Sequence, residues 1–258
     1  MSVSQPDHKE MEALVISWRK TPQEDIDAMK ASCITNDIAR FKSAFDKWST
    51  HGLDIHELSD LAEEAISHDN VQALSILVEN RFQGLGGSAR SAIEHRSKDV
   101  LAYMLETGWD INKFAVKDED MLPWLLDHGA DPNQQSLIDL TPMSYAVKET
   151  PISTIELLLD RGADVSKGQL LHRAIERESD EIAVLDLLLQ RGAPLNARRY
   201  DNHPYSAKIL FFYLPHGTAL HHASGAGKHG VVQFLLDQGA DPTIMDTKGK
   251  FALAGVRP

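Results

Sequence analysis

Three histidines lie close together in the last part of the chain, at His216, His221 and His222. Imidazole is a common metal ligand, so a metal site is the first chemistry that this pattern raises. No cysteine and no clear carboxylate completes a ligand set, and adjacent residues of a helix point in different directions. We therefore expect no metal. Instead, we expect His221 to bond the hydroxyl of Thr218 where a helix begins.

Acid–base chemistry is a second alternative. The side chains that could exchange protons, if the fold brought them within hydrogen-bond reach, are His222, Tyr145, Asp201 and His203. Their spacing does not place them together, so a catalytic or small-molecule site stays open beside a role in recognition alone. Cys33 lies among apolar neighbours on a predicted helix, which favours a core position over a reactive one. No sequence feature calls for a cofactor.

The composition is that of an ordinary folded protein with a strong negative charge. The 258 residues are 42% hydrophobic and 25% charged, and the formal net charge is −12. Such a surface repels phosphate backbones and anionic lipids, so we expect neither nucleic acid nor membrane as a partner. A partner protein with a basic patch fits this charge better.

The same composition favours a reducing compartment. One cysteine rules out an intramolecular disulfide, and the longest strongly apolar run, residues 209–214, is far too short to span a bilayer. The first residues lack a basic start followed by an apolar core, so we expect no signal peptide. These features predict a cytoplasmic or nuclear protein.

A phrase of eight residues occurs four times along the chain. It is Phe-Leu-Leu-Asp-Gln-Gly-Ala-Asp at 234–241, with relatives at 124–131, 157–164 and 187–194. Recurrence of this kind indicates a repeat architecture, in which each repeat contacts only its neighbours. The glycine of each copy suits a chain that leaves a helix in a left-handed conformation.

A small residue upstream of that glycine supports the same parsing. The interval is 16 residues from Ala92 to Gly108, and it is the same in the segments 146–162 and 223–239. Alanine is needed where two helices approach closely, so the fixed interval predicts one helix-loop-helix built repeatedly. The alanines assigned to this position are Ala31, Ala65, Ala92, Ala146, Ala174 and Ala223.

Two of these repeats resemble a known family. Residues 217–242, which begin Gly-Thr-Ala-Leu-His-His-Ala and end Gly-Ala-Asp-Pro, resemble an ankyrin repeat almost throughout, and residues 141–164 are a second good match. The resemblance covers about 84–254, whereas residues 21–83 match the family by periodicity more than by residue identity. It implies a β-turn finger and two antiparallel helices in each repeat, and a stack that usually binds other proteins.

We therefore predict an all-α ankyrin-repeat solenoid of about seven repeats. A capping helix is expected at 1–20, followed by one continuous repeat domain over 21–258. The interval of 21 residues from Gly108 to Gly129 leaves little room for a first helix, which predicts a truncated repeat and a notch or bend. Residues 248–254 resemble the beginning of the first helix of one more repeat. This half-repeat is therefore a candidate surface for a homodimer.

The interval from Gly192 to Gly239 is 47 residues, which is too long and predicts an insertion at about 197–216. A long loop in a repeat fold is usually functional or disordered, and this one is too aromatic for simple disorder. We expect it to fold onto its finger, to bind a partner, or to cover a small-molecule pocket. Its candidate binding residues are Tyr200, His203, Tyr205, Phe212 and Tyr213.

In each repeat, the residue that precedes the recurring alanine of the first helix is expected to face the concave side of the stack. The residues at this position beside the insertion, Tyr145, Arg173 and His222, form a hydrogen-bonding and partly aromatic strip. The preferred interpretation is a non-enzymatic scaffold that binds a protein through this strip and the insertion. The alternative is a small-molecule or catalytic pocket between the same two surfaces.

Overall fold

The computed structural model of the chain describes residues 23–50, 55–80, 82, 84–111, 120–213 and 215–253. These residues form fourteen helices and no strand beyond one isolated bridge between Met245 and Phe251. The predicted all-α class is confirmed. Two compact units divide the chain, 1–110 and 111–258. The predicted capping helix at 1–20 lies outside the described residues, and the single continuous domain over 21–258 stays a prediction.

The first unit consists of three helix pairs. Its helices are α1 Gln23–Thr35, α2 Ile38–Ser49, α3 Ile55–Ser67, α4 Val71–Glu79, α5 Leu85–Glu94 and α6 Lys98–Glu106. Helix α3 packs against both α1 and α5, and α4 packs against both α2 and α6. A tight turn separates α1 from α2. Asn36 has a left-handed φ of 54°, and the carboxylate of Asp37 accepts the backbone N–H of Arg40 at 3.0 Å.

The tight turn between the two helices of a pair shows that one small residue was assigned to the wrong position. A left-handed residue follows the close-packed small residue by four positions, as Asp69 follows Ala65 and Arg96 follows Ala92. Counting back from Asn36 gives Ser32, which is fully buried, whereas the predicted Ala31 is only half-buried. The assignment of Ala31 was wrong because a serine can fill this place when its hydroxyl bonds within the helix, here to the carbonyl of Ala28 at 2.6 Å.

The second unit contains two helix pairs before the insertion and one after it. Its helices are α7 Leu122–Asp127, α8 Pro142–Glu149, α9 Ile152–Asp160, α10 Leu170–Ile175, α11 Glu181–Gln190, α12 Pro204–Leu210, α13 Ala219–Gly225 and α14 His229–Asp237. Helix α10 packs against α8 and α13, and α11 packs against α14. Ala146, Ala174 and Ala223 are buried in the core of this unit, as predicted.

The left-handed glycines occur where the recurring phrase predicts them. Gly129, Gly162, Gly192 and Gly239 have φ values from 87° to 94°. After α14, the N–H of Ala240 bonds the carbonyl of Leu235 at 2.9 Å, which uses a carbonyl that the helix would otherwise leave unpaired. Six helix pairs and the single α7 together account for the about seven repeats expected.

Two predicted irregularities have different outcomes. Helix α7 has only six residues, with Pro123 in its first turn. Residues 112–119, where the sequence leaves little room for a first helix, lie outside the described residues, and the notch stays a prediction. The helix predicted from residue 248 is wrong for the described part of that segment. There, Asp246 accepts the N–H groups of Lys248 and Lys250, both at 2.8 Å, and closes a turn instead.

Candidate functional site

A cavity of about 520 Å³ lies in the second unit, on the side formed by the first helices of its repeats. Helices α10 and α13 supply part of its wall, and the chain that flanks the insertion supplies the rest. His222 directly precedes the buried Ala223 on α13, and His172 lies two residues before the buried Ala174 on α10, and both side chains line the cavity. The lining residues with polar or charged side chains include His172, Arg199, Thr218, His221, His222 and Lys250.

Two stacked imidazoles form one wall of the cavity. The rings of His172 and His222 have centroids 5.8 Å apart, and Nε2 of His172 donates to the carbonyl oxygen of Gly217 at 3.1 Å. Burial, followed by the charge of Arg199, lowers the pKa of His172 to about 3 and that of His222 to about 4. Both rings are therefore neutral near pH 7.

Arg199 joins His222 to the neighbouring charges. Its Nη2 donates to Nδ1 of His222 at 3.3 Å, which leaves the proton of this neutral ring on Nε2. The same Nη2 lies 3.9 Å from Oε1 of Glu176. Burial lowers the pKa of Arg199, but the guanidinium stays charged at neutral pH.

Glu176 is the carboxylate shared by the surrounding cations. Its Oε2 accepts from Arg173 at 2.9 Å and lies 3.5 Å from Nζ of Lys148. Burial acts to raise its pKa, but the charge and hydrogen bond of Arg173, together with the charge of Lys148, hold it below its usual value. Lys228 pairs with a second carboxylate, Glu181, at 3.5 Å. In these ion pairs four cations meet two carboxylates, so the site is locally positive in a strongly acidic chain.

His221 has the structural role that its spacing predicts. The backbone N–H of Thr218 donates to Nδ1 of His221 at 3.1 Å, and the threonine hydroxyl lies 2.9 Å from the same nitrogen. Its Nε2 then donates to the carbonyl of Lys250 at 3.0 Å, tying α13 to the next finger. Within the described part of the chain, no three histidine, cysteine or acidic side chains lie close enough to hold a metal ion.

The insertion folds into a short helix and a packed base. His203 caps α12 by accepting the N–H of Ser206 at 3.2 Å, and Pro204 occupies the first turn. Tyr200 is buried, and its ring meets that of His216 edge-on at 5.2 Å. Its N–H donates to the side chain of Gln169 at 2.9 Å. Tyr200 therefore packs the insertion onto the fold, with only 8% of its surface left exposed.

The end of the insertion exposes its aromatic residues. Phe212 is 84% exposed and Tyr213 is 79% exposed, while Phe211 and Tyr205 are about half exposed. The ring of Phe211 contacts that of Phe212 edge-on, with centroids 5.4 Å apart. We call residues 205 and 211–213 the aromatic ridge. Three consecutive exposed aromatic residues are unusual on a protein surface.

The predicted site residues are only partly brought together. Arg173 and His222 are linked through Glu176 and Arg199, whereas Tyr145 is half-buried on α8 and does not line the cavity. Of the four candidates for acid–base chemistry, the cavity contains only His222. Asp201 accepts the N–H of Arg198 at 2.9 Å, and the catalytic hypothesis stays a prediction.

Sequence reasoning missed Arg199, His172 and Glu176. Residue 172 directly precedes a residue assigned to the concave side, and Arg199 stands next to Tyr200 in the insertion. Neither position is distinctive by its residue type, because each contacts His222 only once the helices and the insertion have packed together. Cys33 is buried as predicted, and burial raises the pKa of its thiol to about 12. No helix among the described residues is long and apolar enough to cross a bilayer.

Comparisons with known proteins agree with this architecture. Residues 113–199 match the family Ankyrin repeats (3 copies), and residues 217–247 match the family Ankyrin repeat. Ankyrin repeat protein nuc-2 of Neurospora crassa is 31% identical over 127 residues, which are 48% of this chain and 11% of that protein.

Two mammalian proteins are similar over comparable stretches. The B-cell lymphoma 3 protein homolog of Mus musculus is 27% identical over 157 residues, 58% of this chain and 28% of that protein. Ankyrin repeat and SOCS box protein 6 of Homo sapiens is 28% identical over 123 residues, 45% of this chain and 27% of that protein. The matches span less than a third of each relative. Ankyrin repeats generally mediate protein–protein interaction, and the ankyrin repeats predicted for this chain are confirmed over residues 113–199 and 217–247.

Proposed function

We propose that the protein is a non-enzymatic scaffold that binds a partner protein through the aromatic ridge and the concave residues beside it. The observation that carries this proposal is the exposure of Phe212 and Tyr213, 84% and 79%, at the end of an otherwise packed insertion. Large aromatic side chains are typical anchors of interfaces, and their burial by a partner supplies much of the binding free energy. The fixed helices behind them reduce the ordering cost of binding.

The test is a double substitution, Phe212→Ser with Tyr213→Ser, in the full chain. Proteins retained by the immobilised chain from an extract of its source cells are quantified by mass spectrometry. We expect at least one protein retained by the wild type to fall by about tenfold or more, because aromatic anchors dominate interface energetics. The matched control is Leu137→Ser, which changes another exposed apolar residue of the same unit. An unchanged set of retained proteins in the double variant contradicts the proposal.

The partner's charge is a finer part of the proposal. A partner with a basic patch finds acidic side chains in the first unit, where Asp60, Glu63 and Glu64 border a depression of about 290 Å³. Such charges mainly speed the encounter of two proteins. A steep fall of the association rate constant with added salt supports this component. An association rate constant that does not change with salt contradicts it.

A small-molecule site is the second candidate. The cavity of about 520 Å³ is within the range of known ligand pockets, and it combines apolar wall with a few polar groups. A thermal-shift screen of small carboxylic acids and neutral polar metabolites tests this candidate. A compound that stabilises the wild type but not His222→Ala supports it, whereas a screen without any such compound leaves it unsupported.

The homodimer through the C-terminal half-repeat remains a separate proposal. Light scattering after size-exclusion chromatography measures it directly. A mass near 28.6 kDa at all concentrations contradicts a homodimer.

A further inference from the structure

The charge of the cavity is opposite in sign to that of the whole chain. The formal net charge is −12, but the cationic side chains of Arg199 and Lys250 line the cavity, whereas Arg173 and Lys228 nearby are paired with Glu176 and Glu181. Asp246 also lines it, yet its Oδ1 already accepts two backbone N–H groups at 2.8 Å each. A ligand group that binds in this cavity should therefore be an anion.

Arg199 has donors that the described residues do not use. A guanidinium carries five N–H donors. Among the described residues, its polar contacts are Nδ1 of His222 at 3.3 Å and the more distant Oε1 of Glu176 at 3.9 Å. The second contact is beyond hydrogen-bond length. A half-buried guanidinium whose neighbouring carboxylate lies beyond hydrogen-bond length is incompletely compensated for its lost hydration, and a bidentate carboxylate compensates it best.

His222 adds a neutral donor beside this cation. Because its Nδ1 accepts from Arg199, its Nε2 carries the proton, and no described residue accepts from it. The Nε2 proton points away from Arg199 and can serve a second acceptor of the ligand, such as a backbone carbonyl, while a carboxylate in the cavity takes two N–H bonds from the guanidinium. Glu176 does not take this place because its Oε2 is already bound by Arg173 at 2.9 Å.

The aromatic ridge begins at the rim of the same cavity. Pro215 and Gly217 line the cavity, and the ring of His216 between them meets that of Phe211 edge-on, 6.3 Å away. A single extended segment of a partner can therefore place an acidic side chain in the cavity and apolar side chains on the ridge. A free anion would leave the exposed aromatic residues uncovered.

We propose that the cavity binds the carboxylate of an aspartate or glutamate of the partner protein, with Arg199 as its main ligand and apolar neighbours of that residue on the aromatic ridge. This inference rests on the proposed scaffold function. It names the chemistry that the partner must present to the second unit, an acidic residue flanked by apolar ones. The basic patch expected from net charge would have to meet other parts of the surface.

The test begins with selection of random peptides displayed on phage against the immobilised full chain. We expect the enriched peptides to share an acidic residue next to aromatic or aliphatic residues. A fluorescent peptide of the enriched sequence then gives Kd by anisotropy. Arg199→Gln should weaken binding about 30-fold, since removal of one partner of a desolvated charge pair is costly. A peptide with glutamine for its acidic residue should lose affinity equally, and the two changes together should add little more.

Two further variants separate recognition from a structural effect. Glu176→Gln should tighten binding by about threefold, because it removes a carboxylate that competes for the same guanidinium. Arg191→Gln is the matched control: it removes an arginine of the same unit that pairs with Asp160, and it should leave Kd unchanged. If circular dichroism shows that Arg199→Gln is unfolded, Arg199→Lys replaces it, with about fivefold weakening expected from loss of the bidentate geometry.

The outcomes distinguish this proposal from the scaffold function. Enriched peptides without a shared acidic residue, or an unchanged Kd for the Arg199 variants, overturn the acidic-anchor proposal but leave the scaffold intact. Displacement of the peptide by millimolar inorganic phosphate, with no effect of acetate, overturns it in favour of a phosphate site. If the wild type enriches no peptide at all, this proposal fails together with peptide recognition by the ridge.

Discussion

Arg177 shows how much a single side chain can do without any signal in the sequence. Its guanidinium is largely buried and donates to the carbonyls of Val147 at 2.7 Å and Thr150 at 3.0 Å. Two further bonds, both 3.0 Å, join it to the two carboxylate oxygens of Asp180. It therefore ties the end of α8 to the turn between α10 and α11 across neighbouring repeats.

We predict that Arg177→Ala lowers the free energy of unfolding by about 2–3 kcal/mol, because it leaves two carbonyls and a carboxylate without their donor. Urea denaturation of the full chain measures the change. The comparison variant is Arg191→Ala, whose surface pair with Asp160 should contribute no more than about 1 kcal/mol. Equal losses in the two variants would show that the buried bonds of Arg177 add nothing.

The buried histidines predict a pH dependence of stability. Burial lowers the pKa of His172 from 6.5 to about 3, so the unfolded chain takes up a proton more readily than the folded one. The stability is complete above pH 6.5 and is lost as pH falls towards 3. At about pH 5, His172 alone should reduce the free energy of unfolding by about 2 kcal/mol relative to pH 7.5. Urea denaturation at both pH values measures this loss.

His172→Asn should reduce that slope, since asparagine does not titrate, and the part that comes from His222 should remain. Substitution of the exposed His229 by asparagine should keep the slope of the wild type. A slope that is identical in all three proteins would assign the pH dependence to other groups.

At the scale of the helix, the recurring glycine is a requirement of the backbone. Gly239 ends α14 with φ at +91°, and a Cβ placed there would meet no atom within 4 Å. Glycine is therefore favoured at this position because it can adopt this backbone conformation, and not because a side chain would clash. A Cβ added at Gly230, inside α14, would also point into open space, but the φ of Gly230 is an ordinary one.

The two glycines should respond to alanine with opposite signs. Gly239→Ala should lower the free energy of unfolding by about 1 kcal/mol, because an L-residue is strained in the left-handed region. Gly230→Ala should raise it by a few tenths to about 1 kcal/mol through helix propensity and a less flexible unfolded chain. Thermal or urea unfolding compares them. A loss in both variants would point to packing that the structure does not show.

At the scale of the whole molecule, charge is distributed unevenly. The net charge of −12 opposes the folded state through general repulsion, while the cations around Glu176 form a local positive site. Net charge therefore describes long-range behaviour and fails to describe the site. This is why the sequence suggests a basic partner and the cavity suggests an acidic anchor.

We predict that salt stabilises the chain. Raising NaCl from about 20 mM to about 300 mM should increase the free energy of unfolding, because the Debye length falls and repulsion among acidic groups is screened. The surface ion pairs that salt weakens contribute little. Urea denaturation at the two salt concentrations measures the change, with an uncharged osmolyte of equal osmolality as the control. A decrease with salt would mean that attractive pairs outweigh general repulsion.

The sequence by itself determined the repeat. The left-handed glycine, the small residue on the first helix and the Thr218–His221 cap are local demands of one helix pair, so they recur at fixed intervals and can be found from letters. Even there a single position was misassigned, since Ser32 meets the same demand as alanine.

The tertiary structure alone decided the site. Arg199 reaches His222 across 23 residues, and Arg177 reaches Val147 across 30, because an insertion and neighbouring repeats fold back on one another. No periodicity encodes such contacts. The burial that leaves His172 and His222 neutral follows from the same packing. Periodic spacing fixes which backbone is built, whereas the distances between side chains of different repeats depend on how those backbones are packed.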